Sequence, residues 1–266
     1  MISRSNLKLK SAKFFPFFLI LLSIFLVTSG CTPKPSYPIK LSFSGKEGGK
    51  EISQIEFSSS NKVYLQDEID RESISKVVFD LESEVVKIKE NGLFVSQQTV
   101  TTKDGFYDLN RLGLPELGEK IDVEVNPQGY VLDVEGYPSD SIFYLPSLVF
   151  PDHAVIPGES WSESFTWRDY SVPFPIRTQI QFTLLRDEKY ERNRVLRIRV
   201  SAASAFEGAN ESLLFENHVE GYILWDPKSS VIRFAETNMI DQLIVPEREF
   251  KSVTRSKFVT KLKRRS

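Results

Sequence analysis

Apolar and polar residues alternate with a period of two in stretch after stretch of this chain. Ile39, Leu41 and Phe43 alternate with Lys40, Ser42 and Ser44, and Ile121, Val123 and Val125 with Asp122 and Glu124. Ile176, Thr178, Ile180, Phe182 and Leu184 alternate with Arg177, Gln179, Gln181 and Thr183, and Leu196, Ile198 and Val200 with Arg197 and Arg199. Successive side chains of a strand point to opposite faces, so this pattern predicts antiparallel strands with one buried and one solvated face.

Turn residues divide the strands. Asn91-Gly92 separates strand-like runs 75–88 and 93–103, and that dipeptide supplies the positive φ angles of a tight hairpin. Asn126-Pro127-Gln128-Gly129 separates 120–125 from 130–135, and Asp226-Pro227-Lys228-Ser229 separates 219–225 from 230–237. The alternation slips around Glu84–Val86, which predicts a bulge. There is no exact internal repeat. The expected fold is all-β: an antiparallel meander forming curved sheets, as a sandwich or a partly open barrel, with a short proline-interrupted apolar segment packed on it.

Two regions depart from the period. Residues 67–76, DEIDRESISK, predict a solvated turn or short helix. Residues 138–157, PSDSIFYLPSLVFPDHAVIP, are apolar yet interrupted by Pro146 and Pro151, with Ser139 or Asp140 placed to cap a short helix over 140–145. An apolar segment must lie on something: it either plugs the end of the sheet core or covers a cavity as a lid. In the lid reading Phe143, Leu148 and Phe150, with Trp161, line a space suited to an acyl chain.

After the turn Pro157-Gly158 comes a strand on which Trp161, Phe165 and Trp167 share a face with Glu163. The tryptophans read as core anchors, with a ligand platform as the alternative. At the C-terminus Phe250, Ser252, Thr254, Ser256, Phe258, Thr260 and Leu262 alternate with Lys251, Arg255, Lys257 and Lys261. This predicts a last strand with a basic outer face, a charge-guarded edge and a frayed tail. The alternative is contact with anionic lipid.

The N-terminus sets the setting. Residues 1–13 carry Arg4, Lys8, Lys10 and Lys13 and no acid, and 14–27, FFPFFLILLSIFLV, carry no charge. A basic segment, a short apolar run and the small residues Thr28, Ser29 and Gly30 form a secretory signal. The run is short for a span, about 21 Å at 1.5 Å per residue against roughly 30 Å of hydrocarbon. Cys31 follows, the one cysteine of 266 residues, so no internal disulfide is possible. TPKPSYP comes next, whose prolines favour an extended spacer.

Ser29-Gly30-Cys31 after this leader resembles the lipobox of bacterial lipoproteins, with Thr28 where leucine is usual. The resemblance covers the first 31 residues. It implies cleavage after Gly30, a diacylglyceryl group on the Cys31 thiol, fatty acylation such as palmitate, and a membrane partner held through the lipid. Two or more acyl chains anchor stably where one does not. Thr32, rather than aspartate, follows the cysteine, which in enteric-type bacteria implies the outer membrane. The Pro157-Gly158 turn leading into Ser160-Trp161 also resembles a feature of β-rich bacterial lipoproteins of no established activity. The expected organisation is therefore a signal peptide over 1–30, a tether over 31–38 and a β-rich domain over 39–266. That domain either forms one body or two lobes, 39–137 and 158–262, joined by 138–157.

Charge and motifs narrow the function. The chain has 34 basic and 36 acidic side chains, and loss of the basic leader makes the body more acidic still, unlike a nucleic-acid binder. Gly158-Glu159-Ser160-Trp161-Ser162 lacks the final glycine of a nucleophile elbow, and Gly45–Lys50 is one residue short of a phosphate loop. His153, beside Asp152, reads as a solvated loop residue, and His218 as an outward strand residue. Neither sits in a metal-binding pair, and DEIDRES lacks the central glycine of a calcium loop. The residues thus predict no cofactor, no metal site and no catalytic residue. Two function classes stand: an envelope lipoprotein binding a protein, glycan or lipid without catalysis, and a lipoprotein hydrolase working through carboxylates the sequence does not single out.

Overall fold

Alternation at period two becomes ladder pairing across one open, curved antiparallel sheet. The computed structural model describes residues 37–169, 172–208 and 212–266. The leader, the cleavage residue Gly30, the lipidation residue Cys31 and most of the tether lie outside the described residues.

The strands are β1 (Lys50–Leu65), β2 (Glu68–Ile88), β3 (Phe94–Asp104), β4 (Lys120–Val125), β5 (Val131–Val134), β6 (Ser160–Trp167), β7 (Ile176–Tyr190), β8 (Asn193–Phe206), β9 (Leu214–Asp226), β10 (Val231–Val245) and β11 (Phe250–Arg265). Their order in the 11-stranded sheet is β5-β4-β3-β2-β1-β11-β10-β9-β8-β7-β6. The chain starts at the centre, steps outward to β5, crosses to β6 through 135–159 and steps back to the centre. The stretch 39–137 contributes β1–β5, and the stretch from 158 contributes β6–β11.

Several expectations change. Residues 67–76 are neither helix nor loop: from Glu68 they are the exposed first half of β2. The β1–β2 turn is carried by Gln66 (φ 51°) and Asp67 (φ 63°), two positive φ values that suit a two-residue hairpin but lack the usual Asn-Gly signal. β1 itself, IEFSSSNKVYL in its body, has small polar residues on both faces and so no alternation to detect. Residues 39–43 form no ladder strand. Ile39 makes an isolated bridge to Val155, and the Phe43 N–H donates to the Pro127 carbonyl at 2.7 Å. The bulge is present, with the register shifting between Val85 and Lys87.

β11 is no edge. It lies between β1 and β10, and its tail is paired to the end, with Arg265 opposite Glu51. Alternation reports faces, not neighbours, and β11's partner lies far upstream in the chain. Its cations meet acids: Lys257 reaches Glu236 at 2.9 Å, Lys263 reaches Asp80 at 2.7 Å and Arg265 reaches Glu51 at 3.7 Å.

The apolar segment holds a single 3-10 turn, Ile142–Tyr144, with Ser141 at its N-cap and no side-chain cap bond. Asp140 does not cap it, pairing instead with Arg168 at 3.2 Å. Leu148, Val149 and Phe150 are buried in the main cluster with Leu41, Trp161, Phe182, Ile198 and Trp225. Phe43, Phe150 and Trp225 interlock, their centroids 4.8–5.0 Å apart. Gly129 turns here with φ 97°, where a Cβ would drive into the Leu148 carbonyl and the Phe43 ring. A second cluster, Ile55, Phe57, Val77, Phe79, Val100 and Leu109, packs the β3–β4 connection onto β1–β3.

Candidate functional site

The side chains that alternate onto the core-bearing inner face are apolar at one end of the strands and turn polar further along. In β1, Ile55 and Phe57 are followed on the same face by Ser59 and Asn61. Register carries the level of Asn61 across the sheet. Asn61 stands opposite Ser73 of β2 and Thr254 of β11. Thr254 stands opposite Asp241 of β10, Asp241 opposite Asn217 of β9, Asn217 opposite Ser204 of β8, and Ser204 opposite Thr178 of β7. Every strand from β2 to β7 in sheet order thus places a polar residue at one level of the inner face, where burial alone would select apolar ones.

Most of this belt is a directed chain of hydrogen bonds. The Trp167 indole N–H donates to Thr178 Oγ1 at 2.9 Å. Thr178 and Ser204 hydroxyls lie 2.8 Å apart, and Ser204 Oγ donates to Asn217 Oδ1 at 3.3 Å. Because Ser204 spends its proton on Asn217, the proton between the hydroxyls comes from Thr178. Asn217 Nδ2 then donates to Asp241 Oδ1. Each bond polarises the next, and all point at one carboxylate. Thr178, Ser204 and Asn217 are buried, while Asp241 is partly buried and Ser73 exposed, so the belt opens towards β2.

Among the described residues Asp241 takes its side-chain hydrogen bond from Asn217. Burial raises its carboxyl above the usual range, and the Asn217 amide opposes this. Tyr107, from the β3–β4 connection, rests on Phe57 at 4.6 Å. Burial raises its hydroxyl, Arg111 pulls it down and the Asp241 charge pushes it up again, so the tyrosine lies within electrostatic reach of the belt. On the other side of the belt, Asn61 Nδ2 donates to Thr254 Oγ1 at 2.8 Å and Ser252 Oγ at 3.1 Å. One level away, between Ser59 and Met239, Ser256 is 8 % exposed and its Oγ has no partner.

The residues singled out from sequence fall elsewhere. Leu148, Phe150 and Trp161 share the main cluster. Phe143 belongs to a different one, with Ile121, Val123 and Val134, and stacks on Tyr137 at 3.7 Å. Trp161 is 9 % exposed and stacks on Phe182, so it is a core anchor and no open platform. His153 is exposed but engaged, with Nδ1 3.2 Å from Asp152 and Nε2 2.7 Å from Glu159. Both ring nitrogens face carboxylates, which raises the imidazole above its ordinary value and leaves neither nitrogen to act as a base. His218 is exposed on the outer face of β9.

A groove of about 440 Å³ lies over β1, β10 and β11, lined by Ser58–Ser60, Asn238–Ile240, Arg255–Lys257 and Ile74. Ile74, Ser60, Arg255 and Ile240 form one row of the outer face. Among the described residues no cluster of His, Cys, Asp and Glu is placed to hold a metal, and no helix is long and apolar enough to cross a membrane.

No family model and no curated protein matches the chain. Among solved structures it is similar to lipovitellin, studied for its lipid–protein interactions, at 11 % identity and TM-score 0.46 over 83 % of this chain. The chain spans about a quarter of the lipovitellin chain, 26 % of its length. It is also similar to an exported Bacteroides fragilis protein with a YmcC-like fold, at 9 % identity and TM-score 0.30, covering 85 % of this chain and 99 % of that one. A third likeness is to DynF of the dynemicin biosynthesis pathway of Micromonospora chersina, at 9 % identity and TM-score 0.26, covering 86 % and 91 %.

Proposed function

We propose that this is a lipid-anchored protein of the cell envelope, held through Cys31 in the outer membrane, whose β domain binds a ligand on the inner face of its sheet without transforming it. The observation that carries the binding reading is the donor chain from Trp167 to Asp241, aimed at a partly buried carboxylate beside the unpartnered Ser256 hydroxyl. Buried polar groups are nearly always paired, so the orphan Ser256 hydroxyl beside that carboxylate is the mark of a missing partner. The leader and Ser29-Gly30-Cys31 support the anchor.

Carboxylate hydrolysis of a glycoside requires two acids converging on one bond. The side chain that bonds Asp241 is the Asn217 amide and not a second acid, which favours binding over hydrolysis at this belt.

The test is hydrogen exchange on the mature lipidated chain in phospholipid nanodiscs, with and without a total envelope extract of lipids and glycans. Slowed exchange over 214–219, 239–243 and 252–256 is expected. Unchanged exchange in all three stretches overturns the reading.

A further inference from the structure

Resting on that reading, we infer that the ligand is recognised through a hydroxyl-rich sugar, seated at Asp241, Asn61 and Ser256 near Tyr107. The first argument is the inventory of free valences. Asp241 has one oxygen bonded to Asn217 and one left to accept. Asn61 commits its amide hydrogens to Ser252 and Thr254 and keeps its carbonyl. Ser256 offers an unpartnered hydroxyl in a residue nine-tenths buried. These groups are two acceptors and one group that both gives and takes, which matches vicinal hydroxyls, each of which can give and take one bond.

The second argument is placement. Thr254 and Ser256 are successive inner-face residues of β11. Asp241 stands directly opposite Thr254 on one side and Asn61 opposite it on the other. Directly opposed residues sit about 4.5–5.5 Å apart at Cβ and diagonal ones about 7–8 Å, which is the scale of one pyranose ring. The floor between them is of small side chains, Ser59, Ser252 and Thr254, so a ring can approach the sheet. Tyr107, whose ring packs on Phe57 of β1, supplies the neighbouring aromatic surface.

The third argument is cost. The orphan Ser256 hydroxyl sits out of reach of water and partner alike, a penalty that a chain retains only where something removes it. A ligand lacking hydroxyls leaves that penalty in place. Sites built to bond hydroxyls reject analogues without them strongly.

The sugar is either a free glycan or a glycolipid headgroup, and the experiment separates them. The probes are maltose added to the mature chain in plain phospholipid nanodiscs, and nanodiscs doped with diglucosyldiacylglycerol. The control is nanodiscs doped with phosphatidylglycerol. Slowed exchange over 239–243 and 252–256 with maltose assigns a free glycan, and slowing only with the glycolipid assigns a headgroup. Either supports the proposal. In the responding arm Asp241→Asn, which keeps the acceptor for Asn217, is expected to weaken binding about tenfold. Ser256→Ala is expected to weaken it severalfold with no fall in melting temperature, which a merely structural hydroxyl would not do. Equal slowing with phosphatidylglycerol, or affinity unchanged in both variants, overturns the sugar assignment. If the envelope extract slows exchange and neither sugar probe does, the sugar assignment falls and the binding reading stands. If the extract also fails, the binding reading falls with it.

Discussion

The indole N–H of Trp161 donates to the carbonyl of Val149 at 2.6 Å. That bond ties β6 to the apolar crossover and places the Trp161 ring flat on Phe182, 5.7 Å away. Trp161→Ala should cost about 3–5 kcal/mol, the usual range for emptying a buried aromatic site. Trp161→Phe keeps much of the ring but orphans the Val149 carbonyl, for a loss of about 1–3 kcal/mol. Urea unfolding followed by circular dichroism measures both; a Trp161→Phe loss close to zero would show that the hydrogen bond contributes nothing, and equal losses would show that the ring packing does not.

Gly129 offers a second handle on the same region. With φ 97° and the Leu148 carbonyl and Phe43 ring crowding its open side, Gly129→Ala faces both backbone strain and a clash. A loss of about 1–3 kcal/mol is expected from strain alone. A stable Gly129→Ala variant would mean the 126–130 turn can withdraw from the crossover.

Hydrogen exchange across 140–150 distinguishes plug from lid. Leu148, Val149 and Phe150 are each 0–1 % exposed, and the Phe150 N–H is held by the Gln128 carbonyl at 2.7 Å. Exchange at Val149 and Phe150 is therefore expected only on global unfolding. Fast local exchange there that slows on adding lipid would establish a lid.

The clasp of His153 with Glu159 and Asp152 predicts a pH response. His153 is raised above 6.5, first by its bond to Glu159 and then by Asp152. Its stabilising contribution is complete below 6.5 and fades as pH rises through the folded value. Glu159 is lowered below 4.5, first by His153 and then by the Ile156 N–H. Its contribution is complete above 4.5 and fades as pH falls through its folded value. The clasp is therefore tightest between about 4.5 and 6.5. In an NMR titration Glu159→Gln should lower the His153 midpoint. An unmoved midpoint would show that Nε2 does not bond Glu159 in solution.

Cys31 carries the only thiol in the chain. Cys31→Ser should abolish incorporation of labelled lipid precursor and stop processing after Gly30. Label retained in that variant would remove the anchor from the proposal.

Faces and turns were legible in the sequence; neighbours and levels were not. Asn91-Gly92, the slip near Val86 and the inward Trp161 and Phe165 all follow from local geometry, because period and φ preference are properties of a few adjacent residues. β1 escaped because Ser58, Ser59, Ser60 and Asn61 put polar groups on both faces. The central place of β11 escaped because nothing local encodes a partner at the other end of the chain. The belt left one trace. On β10, Thr237, Met239, Asp241, Leu243 and Val245 share the inner face, and an acid between Met239 and Leu243 breaks an otherwise apolar half. Asn217 and Ser204 left none, since polar residues at inner positions resemble those that face water until register fixes the level.

The pairing of β1 with β11 also orders events in time. Of the strands, β1 is made first, yet one of its flanks meets its partner only once residues 250–265 exist, and Lys50 exchanges hydrogen bonds with Ser266, more than two hundred residues away. Such distant pairing is slow to form. Until then a long strand edge stands bare, the kind of surface on which chains nucleate fibrils. Lys62, closing the polar run from Ser58, makes that waiting edge a poorer template, since charge on a bare strand, lysine above all, opposes pairing with another chain. The polarity that hides β1 from a reader of the sequence is thus what lets it wait unpaired.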